Sequence, residues 1–416
     1  MAPLRIGLIG AGRIVPAHLR GYAALRAAGQ DDFRITAICS RDPARARLFL
    51  APDSGRQATA SRWQFGDPLE DQAITVADFQ DDVEPGIFSD VQAMLDSGTV
   101  DAVDITTEVG VHHTQALACL DAGLHALVEK PLAITVRAAR RMVDAASARG
   151  LQLAVCENAR FNRPVRLASW LVRRGDLGAP QMASWISIGT AMWSPDAWVG
   201  HSSWRHRKLI GAGGCSLDIG PHAFHRLRVL CGEVETVSAV ARVFEPTRYL
   251  RDAGGEIVDT VECDADDAFM AITTFESGAI GQLSFTFAGH GEPIGQTGPI
   301  LYGSKGCIKN ETVMLDGQAP TTLDEHFARH GAADAAILFP RGVTDPFGLL
   351  IGDWLTAIRE GRPAETSGVE GLHDLAASFA IMESSQAGRV VSLAEVLDGS
   401  VDAYQRDLDE QYGLLG

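Results

Sequence analysis

The chain has 416 residues, 46% of them hydrophobic, enough for a large buried core and, at this length, for two domains rather than one. Its formal net charge of −17 argues against a nucleic-acid or anionic-membrane partner, because both require clustered Lys and Arg to displace counterions from phosphates. The apolar runs are broken by charge well before the roughly 20 residues that a bilayer span needs, so no membrane segment is expected. The N-terminus enters an alternating apolar stretch with no basic flank or small-residue cleavage site, which fits a cytoplasmic protein. Seven cysteines (Cys39, Cys119, Cys156, Cys215, Cys231, Cys263, Cys307) stand singly, with no Cys-x-x-Cys pair. Reduced thiols are expected, with neither a disulfide nor a bound metal.

Leu4 to Ile9 is a short apolar run followed by Gly10-Ala11-Gly12 and by a helix-forming stretch from Ala17 to Ala28, which predicts strand, tight turn and helix. Phe33 to Cys39 reads as a second strand, and Ser40-Arg41-Asp42-Pro43 as a turn into a second helix. Residues 51–84 are polar, acidic and interrupted by prolines, and are taken as an insertion forming a solvated loop. Val100 to Ile105 and Ala126 to Val128 are further buried strands, with a helix over His113 to Ala122 between them. This alternation predicts an α/β domain, a parallel sheet covered by helices on both faces.

From about Gln181 the pattern changes to longer strands: Gln181 to Thr190, Thr236 to Val243, Ala268 to Glu276, Ile280 to Ala288 and Ile300 to Gly303. Ser277-Gly278 between two alternating runs is a hairpin signal, so this half is expected to be α+β with a large open antiparallel or mixed sheet. After Pro346 the chain reads as helical through Leu349 to Glu360, Leu372 to Ala387 and Leu393 to Leu408. The expected division is 1–155 for dinucleotide binding, 156–345 for substrate binding and oligomerisation, and 346–416 as helices packing back between the two.

Gly10-Ala11-Gly12 sits where glycine lets the backbone approach a pyrophosphate at a helix N-terminus. Val15 occupies the position where a third small residue is usual. After the second strand, where an acid would hold a ribose diol, stand Ser40, Arg41 and Asp42; Ser followed by Arg suits a 2′-phosphate and favours NADP slightly over NAD. Glu129-Lys130-Pro131 follows a buried strand, which puts Lys130 at the carboxyl edge of the sheet, where ligands bind. Downstream, Gly213-Gly214 leads to Asp218 and to Pro221-His222, which puts His222 in a first helical turn within reach of Asp218, the pairing that general acid/base chemistry needs. Asp218, His222 and His225 also admit a metal-ligand reading, although no further His/Glu cluster supports it.

In this order and separation, these motifs resemble the Gfo/Idh/MocA family of sugar and cyclitol oxidoreductases over most of the chain. The resemblance implies a Rossmann domain joined to an open-sheet domain; the alternation of strands such as Ala268 to Glu276 leaves one sheet face for a partner subunit, so a homodimer or homotetramer is expected. It implies cofactor contacts from Gly10, Gly12, Arg13, Ile14, Ser40, Arg41, Thr107, His112, Glu129 and Lys130, and a cis Lys130–Pro131 peptide. Lys130 would bind substrate hydroxyl and cofactor, His222 would exchange the proton, and Asp218 would orient substrate or His222. Asn158, Arg160, Trp204, Arg205 and His225 complete the expected substrate wall, and Arg207 and Lys208, just upstream of the glycines, are read either as a basic part of it or as a solvated loop. Three departures stand out: Glu108-Val109 replaces the family's Pro-Asn, His225 replaces an acid, and 51–84 is long. The implied reaction is oxidation of a secondary hydroxyl to a ketone, or its reverse. A redox-cycling glycosidase and a non-catalytic sugar sensor are the alternatives, the sensor being disfavoured because Lys130, Asp218 and His222 are all present.

Overall fold

The structure is a computed structural model that describes residues 2–51, 74–188, 203–252, 254–289, 294–296 and 298–415. The chain forms two compact units, the first made of residues 1–133, 139–161 and 335–371, the second of 134–138, 162–334 and 372–416. Residues 346–416 are thus divided between them: Pro346–Glu360 lies in the first unit, and everything from residue 372 in the second. Among the described residues no helix is long and apolar enough to cross a membrane.

The first unit is built on β1 (Leu4–Ile9), β2 (Phe33–Cys39), β3 (Gly86–Phe88), β4 (Ala102–Ile105), β5 (His125–Glu129) and β6 (Leu153–Cys156). They form one parallel sheet in the order β3-β2-β1-β4-β5-β6. The order reverses beside β1, the point where an open α/β sheet leaves a crevice at its carboxyl edge. α1 (Val15–Ala27) follows β1 directly, and α4 (Val109–Asp121) follows β4. Helix Pro346–Glu360 packs closely on α1 because Gly21 and Gly348 leave room: a Cβ on Gly21 would lie 2.8 Å from the Phe347 carbonyl carbon.

Residues 52–73 of the expected insertion lie outside the described residues. Of the rest, 81–84 is exposed loop as expected, while 74–80 holds a short 3-10 turn anchored on the sheet. Val76 and Gln80 are buried, and the Gln80 amide bonds both the N–H and the C=O of Ile35, acting as a side-chain extension of the sheet edge. β3, two helices (α5, Val136–Arg149, and α6, Arg163–Arg173) and β6 were not read from the sequence. Both helices carry several arginines and one apolar stripe each, an amphipathic pattern that was open to being read from the sequence.

The second unit holds β7 (Pro180–Ile188), β8 (Val234–Arg242), a separate hairpin of β9 (Thr247–Arg251) and β10 (Ile257–Glu262), then β11 (Ala268–Phe275), β12 (Ile280–Thr286), β13 (Ile294–Gly295), β14 (Ile300–Gly303), β15 (Gly306–Lys309), β16 (Thr312–Leu315), β17 (Thr321–Thr322) and β18 (Val391–Ser392). Apart from that hairpin they make one ten-stranded sheet, antiparallel except where β12 runs parallel to β7, so the sheet is mixed. On β11, Phe269, Ala271, Thr273 and Phe275 are buried while Met270 and Ile272 on the opposite face are more than 60% exposed. The expected helix over Leu393 to Leu408 is two helices, Leu393–Asp398 and Arg406–Gln411. Gly399, at φ 78°, ends the first in a left-handed turn.

Candidate active site

In the first unit the turn after β1 is held by geometry that only glycine satisfies. Gly10 has φ 122°, and a Cβ there would lie 2.5 Å from Thr106 Oγ1. At Gly12 a Cβ would meet only Thr106 O, at 3.9 Å, so the face above the turn is open to a ligand. Arg13 and Ile14 lead from it into α1, whose positive dipole end suits an anion, although Pro16 has no N–H and the Val15 and Ala17 N–H groups donate to Gly12 O and Ile14 O. Val15, in the third small-residue position, is fully buried.

At the end of β2 the acidic candidate is already committed. Asp42 caps the helix Pro43–Arg47 by accepting the Ala44 N–H at 3.0 Å, and Ser40 Oγ accepts the Asp42 N–H at 3.3 Å. Arg41, with a side chain 91% exposed, lies 3.3 Å from Glu108 Oε1. Such an exposed pair is worth about 0–1 kcal/mol, so the guanidinium is available to a phosphate. Glu108, the departure from Pro-Asn, starts α4.

His112, on α4, bridges two backbone carbonyls, with Nε2 3.0 Å from Thr107 O and Nδ1 3.0 Å from Pro131 O. It thereby ties the β4 turn to the β5 turn. Burial pushes its pKa below the ordinary histidine value, and the two carbonyls only partly oppose this. Thr107 Oγ1 donates to Gln115 Oε1. The Lys130–Pro131 peptide is cis, and the Lys130 N–H donates to Glu129 Oε2 at 3.0 Å. Asn158 and Arg160 lie in a short 3-10 turn after β6, where Arg160 pairs with Glu365 at 2.9 Å, a partner not anticipated from the sequence.

In the second unit, the glycines ahead of Asp218 are explained by one buried carboxylate. Asp266 accepts from the Gly214 and Ser216 N–H groups and from Ser216 Oγ, each at 2.8 Å, and from the Cys215 thiol. A Cβ on Gly214 would fall inside the Asp266 carbonyl, so glycine is obligatory there. This clamp fixes the short helix Cys215–Asp218 that delivers Asp218. Helix Gly220–Cys231 follows, with Pro221 in its first turn and His222 partly exposed beside it. Gly220 allows this helix to approach Ser378 closely.

Arg205 Nε lies 3.5 Å from Asp218 Oδ1, and the guanidinium carbon sits 4.4 Å above the Trp204 ring, so Trp204, Arg205 and Asp218 form one group. Two expectations need correcting. Lys208, read as part of this basic wall, is taken up by Asp407 at 2.8 Å and by the Tyr404 ring. His225, expected at the substrate or a metal, is fully buried with Nδ1 2.7 Å from Asp374 Oδ2. Three residues on from His222 along the helix, it faces the core, where Arg228 binds the other Asp374 oxygen at 2.6 Å.

Residues 4–157 match the family model described as oxidoreductase family, NAD-binding Rossmann fold, and residues 165–309 match the GFO/IDH/MocA C-terminal domain. The chain belongs to the GFO/IDH/MocA oxidoreductase family. It is an oxidoreductase with an NAD-binding Rossmann domain. It is 28% identical over 299 residues to a levoglucosan dehydrogenase of Pseudarthrobacter phenanthrenivorans, covering 70% of this chain and 69% of that one. It is 24% identical over 315 residues to a myo-inositol 2-dehydrogenase of Thermotoga maritima, covering 74% and 85%. A solved levoglucosan dehydrogenase in complex with NADH and L-sorbose shares the fold, with a TM-score of 0.74 at 23% identity over 94% of this chain and 99% of that one. Asp266, Asp374 and Glu365 are supporting residues that sequence reading missed, since each meets these side-chain partners across 50 positions or more.

Proposed function

We propose that this enzyme interconverts a secondary hydroxyl and a ketone on a sugar, sugar derivative or cyclitol, with His222 as the proton acceptor or donor. The observation that carries the reading is the division of labour in helix Gly220–Cys231: His222 remains partly exposed, while His225 is buried on Asp374 and anchors the helix. An anchored imidazole near a helix N-terminus is the group that proton exchange with a hydroxyl needs. Asp218, neutralised by Arg205, would orient the substrate or His222, and Lys130 would hold the reacting oxygen. Asn158, Arg160, Trp204 and Arg205 fit a polyhydroxylated ligand through their amide, guanidinium and ring faces. The nicotinamide cofactor, when bound, supplies the hydride acceptor or donor. Gly10, Gly12, Arg13 and Ile14 would hold its pyrophosphate, and Thr107, His112, Glu129 and Lys130 its nicotinamide side. The test is a screen of free sugars, glycosides and cyclitols, including levoglucosan and myo-inositol, that follows reduced-nicotinamide absorbance with NAD and NADP in parallel. Turnover of at least one polyol is expected; no absorbance change with any of them would remove the assignment.

For the cofactor we favour NADP slightly. Asp42 is turned into its helix cap, which takes its carboxylate out of competition for the ribose, while Arg41 is exposed beside Ser40. One charge-assisted contact to the 2′-phosphate contributes roughly 1.5–3 kcal/mol, and competition from Glu108 cuts the resulting preference to about 10-fold. Dissociation constants for both cofactors, in the native protein and in Arg41→Ala, check this. Loss of the preference in the variant is expected, and an unchanged NADP affinity would mean that Arg41 reads no phosphate.

The second unit is proposed to associate with a second copy through its sheet. Val240, Met270, Ile272, Ile280, Met182 and Tyr302 are 43–62% exposed, and their register aligns them across neighbouring strands on one face. An apolar face of that extent is rarely left to water. Light scattering at micromolar concentration should give a dimer or tetramer mass, with Met270→Glu shifting it towards monomer; a monomeric native mass would contradict the proposal.

A further inference from the structure

His18, on α1, is a fully buried side chain that the reaction as described does not use. Its Nδ1 lies 2.8 Å from Asp104 Oδ2 on β4, and its Nε2 lies 2.9 Å from Glu129 Oε1 at the end of β5. Cys156 Sγ, on the strand paired with β5, is 3.7 Å from the same Nε2. Tyr22, one turn along α1, donates to Asp104 Oδ2 at 3.2 Å, and the Phe347 ring closes the cluster 5.2 Å from the imidazole. The second oxygen of Glu129 accepts the backbone N–H of Lys130.

We propose that His18 is a positioning residue for Lys130: it fixes the Glu129 carboxylate between itself and the Lys130 N–H, so that α1 and the β5 turn hold the lysine as one unit. The inference rests on the reading of Lys130 as the substrate-side lysine.

The chemistry of the cluster supports a charged clamp. Burial disfavours the imidazolium, but the charge and hydrogen bond of Asp104 outweigh it and raise the His18 pKa well above the ordinary value. Burial likewise opposes an ionised Glu129, yet the hydrogen bond and charge of His18 and the charge of Lys130 hold its pKa below the carboxylate norm. Burial, reinforced by Glu129, pushes the Cys156 thiol far up, so it stays protonated. The ligand-type atoms of His18, Glu129 and Cys156 lie within 4.8 Å of one another, but the 2.9 Å spacing of nitrogen and carboxylate oxygen is that of a shared proton. Both His18 ring nitrogens face carboxylates, which only the doubly protonated ring satisfies as a donor twice. A charge-assisted donor pins a carboxylate more strongly and with less angular play than a neutral one does.

The chain has only four lysines, Lys130, Lys208, Lys305 and Lys309, so selective nitrogen-15 lysine labelling resolves the relevant amide directly. The Lys130 signal is assigned with Lys130→Arg. In the native protein this amide should exchange slowly. In His18→Phe, which keeps a ring but removes both contacts, its protection is expected to fall by about tenfold or more while the other three amides hold theirs. Because His18→Phe leaves two buried carboxylates without a cation and can fail to fold, Glu129→Gln is the second arm: it is isosteric, and weakening the acceptor should lower protection at Lys130 alone. In His18→Phe kcat for the polyol found by the screen should fall by about tenfold or more, with cofactor affinity from fluorescence titration near native, whereas Glu129→Gln, at a residue read as a cofactor contact, is judged by the Lys130 amide and kcat alone. An unchanged Lys130 amide in folded His18→Phe or Glu129→Gln would overturn the proposal, and so would parallel loss at all four lysines. If the native protein binds neither NADH nor NADPH while the Lys130 amide responds as described, the dehydrogenase reading falls and the hydrogen-bonded route stands.

Discussion

Replacing His222 with Ala is expected to lower turnover by about 100-fold or more, the scale of a positioned proton-transfer group, while the protein stays folded. The side chain is partly exposed near the start of helix Gly220–Cys231, so its removal opens no core cavity. Lys130→Ala should fall on the same scale, and, as both residues are proposed to serve one step, the double variant should lose much less than the product of the two single losses. The separation of kcat from thermal midpoint carries the argument. A folded His222→Ala protein with near-native kcat would remove His222 from the chemistry, and a folded Lys130→Ala protein with near-native kcat would remove the lysine.

The second large effect is on stability and falls at Asp374. Its two oxygens hold buried His225 and Arg228 at 2.7 and 2.6 Å, and Arg228 reaches Glu233, which also meets His373. Asp374→Ala leaves an arginine and an imidazole facing a hole in the core, so a loss of about 3–5 kcal/mol in denaturant unfolding is expected. Asp374→Asn, which keeps the shape, should cost less. Because His225 shares the helix of His222, the Ala variant should lose kcat as well as stability. A loss below about 1 kcal/mol would show that Arg228 is held well enough by Glu233 alone.

The sequence is most informative where the forces are local. β1, β2 and β14 begin and end where their apolar runs do, because each is flanked by a turn residue or a charge. The tight turn at Gly10 was legible before its neighbour, Thr106, was known, whereas the reason for Gly214, the backbone of Asp266, lies far along the chain. Non-local pairing is a different matter. β7 lies between β12 and β14, more than 90 positions away in sequence, and no periodicity states that order. His225 looked like a ligand because an imidazole three residues from His222 has the spacing of a metal site; Asp374, 149 positions on, decides otherwise. His18 had a usable signal: an ionisable group on the same face as Val15, Leu19 and Tyr22, an otherwise buried stripe, needs a charged partner. Which partner followed only from the sheet order that brings Asp104 and Glu129 beside it.

The most direct test of the dehydrogenase account is a stoichiometry. With a polyol or glycoside from the screen and excess oxidised cofactor, reduced nicotinamide is followed by absorbance while the carbohydrate products are counted by NMR in the same sample. The account expects one reduced nicotinamide for each ketone formed, and no ketone in His222→Ala. Consumption of a glycoside to free sugar with no net change in the cofactor would contradict it, because the nicotinamide would then be cycling within a hydrolytic reaction.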